Sequence, residues 1–240
     1  MSSGNDRIAL VTGANKGIGF EICRQLARKG IHVVIGSRDA TRGSEAMNTL
    51  SSEGLPVSFV QIDVINQESI DAAVTQLTGL HGRLDILVNN SGVFEREPRP
   101  SELTLDRIRQ NFDVNFFGTF AVTKAFLPLL HLSTSARIVN VSSGLGTFAL
   151  SQVLIQDYQH CAYSASKAAL NMFTLHLARD LQATKIKVNA CTPGLTATGL
   201  TNYMGHSVEV GAQSSVFLAT LPDDGPSGKF FDEHCNEYGW

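Results

Sequence analysis

Tyr163 and Lys167 stand four residues apart in the run Tyr-Ser-Ala-Ser-Lys-Ala-Ala-Leu. On a helix, that spacing puts the phenol and the ammonium on one face, one turn apart. A free phenol, with a pKa near ~10, is a poor proton donor or acceptor at neutral pH. A neighbouring ammonium favours the phenolate. At about 4 Å and an effective dielectric of ~20 the attraction is roughly 4 kcal/mol, enough to bring a phenol into general acid–base chemistry. The same pair is common on solvated helix faces, so its meaning depends on what surrounds it.

The surrounding elements alternate. Residues 8–13, 32–36, 57–62, 84–88, 137–141 and 186–191 are short runs rich in Val, Ile and Leu and are predicted as strands. Helical patterns cover 16–28, 41–50, 67–77 and 103–130, and a further helix carries Tyr163 to Leu181. Residues 207–218 read as a last helix and 228–231 as a short edge strand. Continuous apolar strands are buried on both faces. Their alternation with helices implies an α/β fold of three layers, a mostly parallel sheet with helices on each side. No linker divides the chain, so residues 1–240 are expected to form one domain.

Thr12-Gly13-Ala14-Asn15-Lys16-Gly17-Ile18-Gly19 joins the first strand to the first helix. Glycines let the chain turn sharply and let backbone approach a phosphate, and the helix N-terminus offers free N–H groups to an anion. The spacing is G-x-x-x-G-x-G rather than G-x-G-x-x-G. A tight strand–helix turn alone would also use glycines, but the position directly after strand one favours a dinucleotide. An acid at the end of strand two would bind the adenosine ribose. Here Ser37 is followed by Arg38, with Arg42 beyond and Lys16 in the glycine loop. Three cations point to the 2′-phosphate of NADP(H), with Asp39 pulling the other way.

Composition narrows the classes. With 43% hydrophobic and 17% charged residues and a net charge of −3, the chain fits a soluble protein with a sizeable core. No basic stripe suits nucleic acid, no Lys/Arg cluster suits an anionic membrane, and no apolar run reaches the roughly 18 residues of a membrane helix. The polar N-terminal residues do not read as a signal peptide, which makes the cytoplasm the expected location. The seven histidines and the four cysteines, Cys23, Cys161, Cys191 and Cys235, show no metal-ligand spacing, and the thiols are expected to be buried and reduced. Asn89-Asn90-Ser91 and Asn140-Val141-Ser142 match a glycosylation pattern but fall at strand ends, and are read as chance matches.

Further motifs follow in order. Asn89-Asn90-Ser91-Gly92 lies after strand four, and Asn115 falls in Val-Asn-Phe-Phe-Gly on the long helix. Ser142-Ser143 follows strand five, and Pro193-Gly194 follows strand six, with Thr196 and Thr198 beyond. Together with the glycine loop and the Tyr/Lys pair, these resemble the short-chain dehydrogenase/reductase family across nearly the whole chain, with Ser91 where the family has alanine. Asn-Lys-Gly-Ile-Gly, Ser-Arg-Asp-x-x-Arg-Gly and the closing Leu-Pro-Asp-Asp-Gly-Pro-Ser-Gly-Lys-Phe-Phe with a terminal Trp resemble its carbonyl reductases. The resemblance implies a Rossmann-type sheet of about seven strands. It also implies hydride transfer between NADPH/NADP+ and a small-molecule carbonyl substrate.

It implies roles as well. Tyr163 would donate a proton to a carbonyl or accept one from an alcohol. Lys167 would bind the nicotinamide ribose and lower the tyrosine pKa, and Tyr163 too would touch the cofactor. Ser143, rather than Ser142, would hold the substrate oxygen, and Asn115 would hold a water that passes protons to Lys167. Gly13, Asn15, Lys16, Gly17, Ile18 and Gly19 would meet the phosphates, and Asp63 and Val64 the adenine. Asn90 and Gly92 would lie along the dinucleotide, and Pro193, Gly194, Thr196 and Thr198 near the nicotinamide. Asp63 reads equally well as a helix N-cap, and Asn115 as a residue that bends its helix.

One departure stands out. Tyr163 lies 20 residues beyond Ser143, a longer gap than most of the family has and a shorter one than vertebrate carbonyl reductases carry. The extra residues, within 144–161, include Phe148, Leu150, Val153, Leu154 and Ile155. They either wall the substrate site or cover a helix face that relatives use to dimerise. A homo-oligomer, dimer or tetramer, is the expectation. Residues 200–210 should form a short lid, and Phe94, Leu145, Tyr203 and Met204 are the substrate-facing candidates. An open apolar pocket for bulky aldehydes and ketones follows. Two other readings stay open: alcohol oxidation with NADP+ by the same residues, and a dinucleotide-binding sensor or scaffold without turnover.

Overall fold

The computed structural model describes residues 7–154 and 160–240. Its strands are β1 (Ile8–Val11), β2 (His32–Ser37), β3 (Val57–Gln61), β4 (Ile86–Asn89), β5 (Arg137–Val141), β6 (Lys187–Cys191), β7 (Phe230–Phe231) and β8 (Glu237–Tyr238). They form one eight-stranded sheet in the order β3-β2-β1-β4-β5-β6-β7-β8. All pairs are parallel except β7 with β8. The strand expected at 228–231 is therefore not the edge. Two residues, Glu237 and Tyr238, fold back on β7 and take that place, too short a run to carry a pattern in sequence.

The helices are α1 (Gly17–Arg28), α2 (Ala40–Ser52), α3 (Gln67–His81), α4 (Leu105–Phe112), α5 (Thr119–His131), α6 (Phe148–Leu154), α7 (Cys161–Asp180) and α8 (Val208–Ala219). Successive side chains of a strand point to opposite faces, and both faces here are apolar. Val33 and Ile35 join Ile22, Leu26 and Val216 in one core, under α1 and α8. Val34 joins Ile70, Leu77, Val122 and Phe126 in the other, under α3 and α5. Each such fully buried side chain contributes about 1.5–3 kcal/mol. Among the described residues no helix is long and apolar enough to cross a membrane.

The helix expected over 103–130 is not uniform. A π-turn at Asp113–Gly118 separates α4 from α5. Here the chain passes close to the loop after β3: a Cβ on Gly118 would lie 2.8 Å from Val64 Cγ2. Helices widen into single π-turns frequently at functional sites, and this one holds Asn115.

α6 lies in the stretch between Ser143 and Tyr163, where sequence patterning gave no element. It packs on the turn after Ser143, so closely that a Cβ on Gly144 would meet Leu150 Cδ2 at 2.3 Å. Phe117, Phe120 and Met172 of the α5–α7 face stay exposed. Among the described residues the extra segment therefore packs on the turn after Ser143 and leaves those three side chains uncovered. Ile155 and the side chains of Val153 and Leu154 lie outside the described residues.

Below the site runs a buried polar ladder. Asn89 and Asn140 face each other in register on β4 and β5. Asn89 Nδ2 donates to Asn140 Oδ1 and to Thr123 Oγ1, each at 2.9 Å. Asn140 Nδ2 donates to Thr174 Oγ1 at 2.9 Å. These bonds pin α5 and α7 to the sheet, and burial closes both glycosylation patterns. Not every thiol is inside as expected: Cys23 and Cys191 are buried, but Cys161 is exposed and Cys235 partly so. Cys161 opens α7, where its side chain falls on the outer face of the first turn.

Candidate active site

The glycine loop leaves β1 with Gly13 at φ +63° and Gly17 at φ +59°, backbone that disfavours any side chain. A Cβ on Gly19 would sit 2.4 Å from Asn90 Nδ2, so helix and loop can touch only through glycine. α1 then begins with no side-chain cap and no acid in its first turn. Its first amides are offered toward the loop, a cradle suited to a phosphate group. Asn90, expected along the cofactor, is spent on the loop itself. Its Nδ2 donates to Thr12 O at 2.9 Å and to Gly13 O at 3.2 Å. Asn90 thus holds the loop's shape from β4. Thr198 closes the loop from the other side, its Cγ2 3.5 Å from where a Gly17 Cβ would lie.

The three cations expected at a 2′-phosphate divide. Arg38 and Lys16 are exposed and make no ion pair among the described residues. Arg42 is not free as expected: it pairs with Asp39 at 2.7 Å, and Asp39 also caps α2 by accepting from Arg42 N at 3.0 Å. The i, i+3 spacing makes this contact local. Such an exposed pair is weak, a small cost for Arg42 to turn elsewhere. Asp63 is not the cap of α3 either; Asn66 is, accepting from Ser69 N at 3.0 Å. Asp63 Oδ1 takes Ile65 N at 3.2 Å instead. Val64 is buried against the π-turn.

The structure brings Asn115, Ser143, Tyr163 and Lys167 together. The Ser143 hydroxyl lies near enough to the Tyr163 phenol to act on its ionisation. Ser142 is excluded from that role because it is buried and its hydroxyl donates to Asn171 Oδ1 at 2.5 Å. Lys167 is buried, its Nζ 2.9 Å from Val141 O and 5.8 Å from the centroid of the Tyr163 ring. Burial pushes the phenol of Tyr163 up to about 12, with the Ser143 hydrogen bond opposing. Burial lowers Lys167 to about 8, with Cys191 opposing. The phenol therefore moves opposite to the direction that the Tyr–Lys spacing alone suggests. Loss of solvent sets the direction, and Lys167, 5.8 Å from the ring centroid, does not reverse it.

Asn115 is wholly buried. Its Oδ1 accepts from Val93 N at 2.8 Å, and its Nδ2 donates to Val93 O at 3.1 Å and Ser166 Oγ at 3.0 Å. Both amide hydrogens are thus committed, and one lone pair of Oδ1 is left. That oxygen faces Gly92: a Cβ there would lie 3.3 Å from Oδ1 and 3.6 Å from Lys167 Nζ. The absence of a side chain on Gly92 keeps space between the amide and the ammonium.

Of the substrate candidates, Phe94 packs edge-on against the Tyr163 ring at 4.7 Å. Leu145 is half-buried, its N–H on Ser143 Oγ at 3.2 Å. Tyr203 and Met204 are exposed, on a loop that returns so that Ala197 N meets His206 O at 2.8 Å. The lid is shorter than the expected 200–210, since α8 starts at Val208. Thr196 is buried with its hydroxyl on Pro193 O at 2.8 Å, and Gly194 turns at φ +65°. Sequence reasoning missed Glu97, whose carboxylate accepts the N–H groups of Ala162 and Tyr163. The signal was negative: no Ser, Thr, Asp or Asn stands just before α7 to cap it.

A sequence profile described as short chain dehydrogenase matches residues 7–208. Salutaridine reductase of Papaver bracteatum is 35% identical, over 96% of this chain and 95% of that protein. The alignment runs over 299 positions against 240 residues here, so that relative carries internal segments this chain lacks. Carbonyl reductase (NADPH) 1 of Sus scrofa is 34% identical, over 99% of this chain and 96% of that protein. Among solved structures, NADPH-bound carbonyl reductase from chicken fatty liver superposes with a TM-score of 0.88 at 27% identity, over 98% of this chain and all of that one.

Proposed function

Because the chain belongs to the short-chain dehydrogenase/reductase family, we propose that it reduces an aldehyde or ketone to an alcohol with NADPH, and that Tyr163 is the proton donor. The observation that carries this reading is the convergence of Asn115, Ser143, Tyr163 and Lys167 on one spot, with Gly92 between the Asn115 amide and the Lys167 ammonium and the Tyr163 ring 5.8 Å from that ammonium. A protonated tyrosine is the state that reduction consumes. Alcohol oxidation by the same residues needs the phenolate, and the ratio of reduced to oxidised cofactor sets which direction runs.

NADPH would supply the hydride when bound. The glycine loop and the uncapped start of α1 fit its pyrophosphate, and Arg38 with Lys16 its 2′-phosphate, joined by Arg42 once it leaves Asp39. Lys167, charged below pH about 8, would hold the nicotinamide ribose from beneath. Tyr163 gives its proton to the substrate oxygen, and the Ser143 hydroxyl donates to the same oxygen as charge develops there. A water in the space beside Gly92, held by Asn115 Oδ1, would return a proton through Lys167. Asp63 and Val64 remain assigned to the adenine, and Gly194, Thr196 and Thr198 to the nicotinamide. Phe94, Leu145, Tyr203 and Met204 are assigned to an apolar substrate. The reading includes one domain, a cytoplasmic location and a homo-oligomer, for which the exposed Phe117, Phe120 and Met172 offer a face.

The test is consumption of reduced nicotinamide against a panel of small and bulky aldehydes and ketones. Turnover with NADPH is expected at a kcat/KM about tenfold or more above that with NADH, the scale of one lost charge-assisted contact. Tight NADPH binding without turnover of any carbonyl would instead favour a sensor or scaffold.

A further inference from the structure

We propose that Glu97 is a positioning residue for the proton donor: its carboxylate caps the helix that carries Tyr163 and fixes where the phenol sits. The proposal rests on the carbonyl reductase reading above and names a residue on which that reaction depends.

α7 has no cap of its own. His160, at the cap position, makes no side-chain bond to the helix, and the first turn holds no acid. Glu97 arrives from the loop after β4, 66 residues before Tyr163 in the chain. Its Oε2 accepts from Ala162 N at 2.8 Å and its Oε1 from Tyr163 N at 2.9 Å. Glu97 is only 8% exposed, although its neighbours Arg96 and Pro98 face solvent. The two helix amides hold its carboxylate, and His160 at the cap position feels its charge. Ionised acceptors at a helix N-terminus make the stronger class of hydrogen bond.

The same short loop meets the site at every step. Gly92 lies beside Asn115 Oδ1 and Lys167 Nζ. Val93 is bonded through both backbone groups to Asn115. Phe94 packs on the rings of Tyr163 and His160, at 4.7 and 4.5 Å. Glu97 holds the Tyr163 amide. Tyr163 is therefore gripped by one loop at its ring and its backbone, while Ser143 meets its hydroxyl. Lys167 is anchored separately, one turn deeper, on Val141 O. Removing the carboxylate frees the first turn of α7 and with it Tyr163, but leaves Lys167 in place. A misplacement of about 1 Å at a reacting group costs on the order of a hundredfold in rate.

The experiment compares Glu97→Gln and Glu97→Ala with the unaltered chain. It measures kcat, substrate KM, NADPH affinity by fluorescence titration, and amide hydrogen exchange along α7. Glu97→Ala is expected to lower kcat about a hundredfold, and Glu97→Gln, which keeps one acceptor, about tenfold. NADPH affinity should stay within about twofold, and exchange should quicken at Ala162 and Tyr163 but not in the body of α7. Unchanged kcat in both variants, or NADPH affinity falling in step with kcat, overturns the positioning role. An unaltered chain that reduces no carbonyl overturns the functional reading and this role with it. An active chain indifferent to both substitutions overturns this role alone.

Discussion

α1 and α7 both begin at the edge of the sheet where the parallel strands end, and they use their first turns in opposite ways. α1 starts with Lys16 in an extended conformation, with no side-chain cap and no acid. α7 also lacks a local cap, yet two of its first amides are satisfied by Glu97 from another part of the chain. The positive end of a helix is the same physical object in both places. What differs is who supplies the negative charge: an incoming phosphate at α1 in our reading, the protein itself at α7. The first arrangement makes a binding site. The second makes a fixed support for a side chain that must not move.

The largest effect on cofactor binding should come from giving α1 the arrangement of α7. Lys16 has the backbone of an N-cap residue, so Lys16→Asp should cap the helix and raise stability by about 1 kcal/mol. The same change removes a cation and sets an anion where the phosphates approach. NADPH should bind roughly a hundredfold more weakly. Thermal unfolding and NADPH titration on one preparation read both signs. A variant that binds NADPH as before would break the contrast between the two helices.

Lys167→Met tests the other helix, with a smaller effect of opposite character. The lysine is held near 8, below its ordinary value. Below pH about 8 it carries a proton in both folded and unfolded chains, and the folded chain bears the cost of the buried charge in full. That cost fades as pH rises from about 8 to ~10.4, where the unfolded chain also loses the proton. The variant should therefore be more stable at pH 7 by about 2 kcal/mol, after allowing for the unpaired Val141 carbonyl, and the gain should vanish near pH ~10.4. Activity should be lost. Denaturant melts at three pH values give the sign.

How much could be read from sequence follows the same division. The glycine loop declares itself because backbone geometry restricts residue type, and Gly13, Gly17 and Gly19 are local. Ser143, Tyr163 and Lys167 were legible as a pattern, and the apolar strands as runs. The ionisation of Tyr163 was not legible, because burial sets it rather than the distance to Lys167 along a helix. Glu97 was not legible because its contact spans 66 residues and exists only in the folded chain. The Arg42–Asp39 pair was available in the i, i+3 spacing, where Asp39 competes with a 2′-phosphate for the same guanidinium. The π-turn at Asn115 leaves only a weak composition cue, the poor helix formers Asn115 and Gly118 inside an otherwise helical run.

The most direct measurement is the rate of NADPH-dependent carbonyl reduction by Tyr163→Phe beside its NADPH affinity. Loss of kcat by about a thousandfold or more, with affinity within about twofold, is predicted for a proton donor that the cofactor does not need for binding. A variant that keeps more than about a tenth of the original kcat would contradict the assignment of Tyr163.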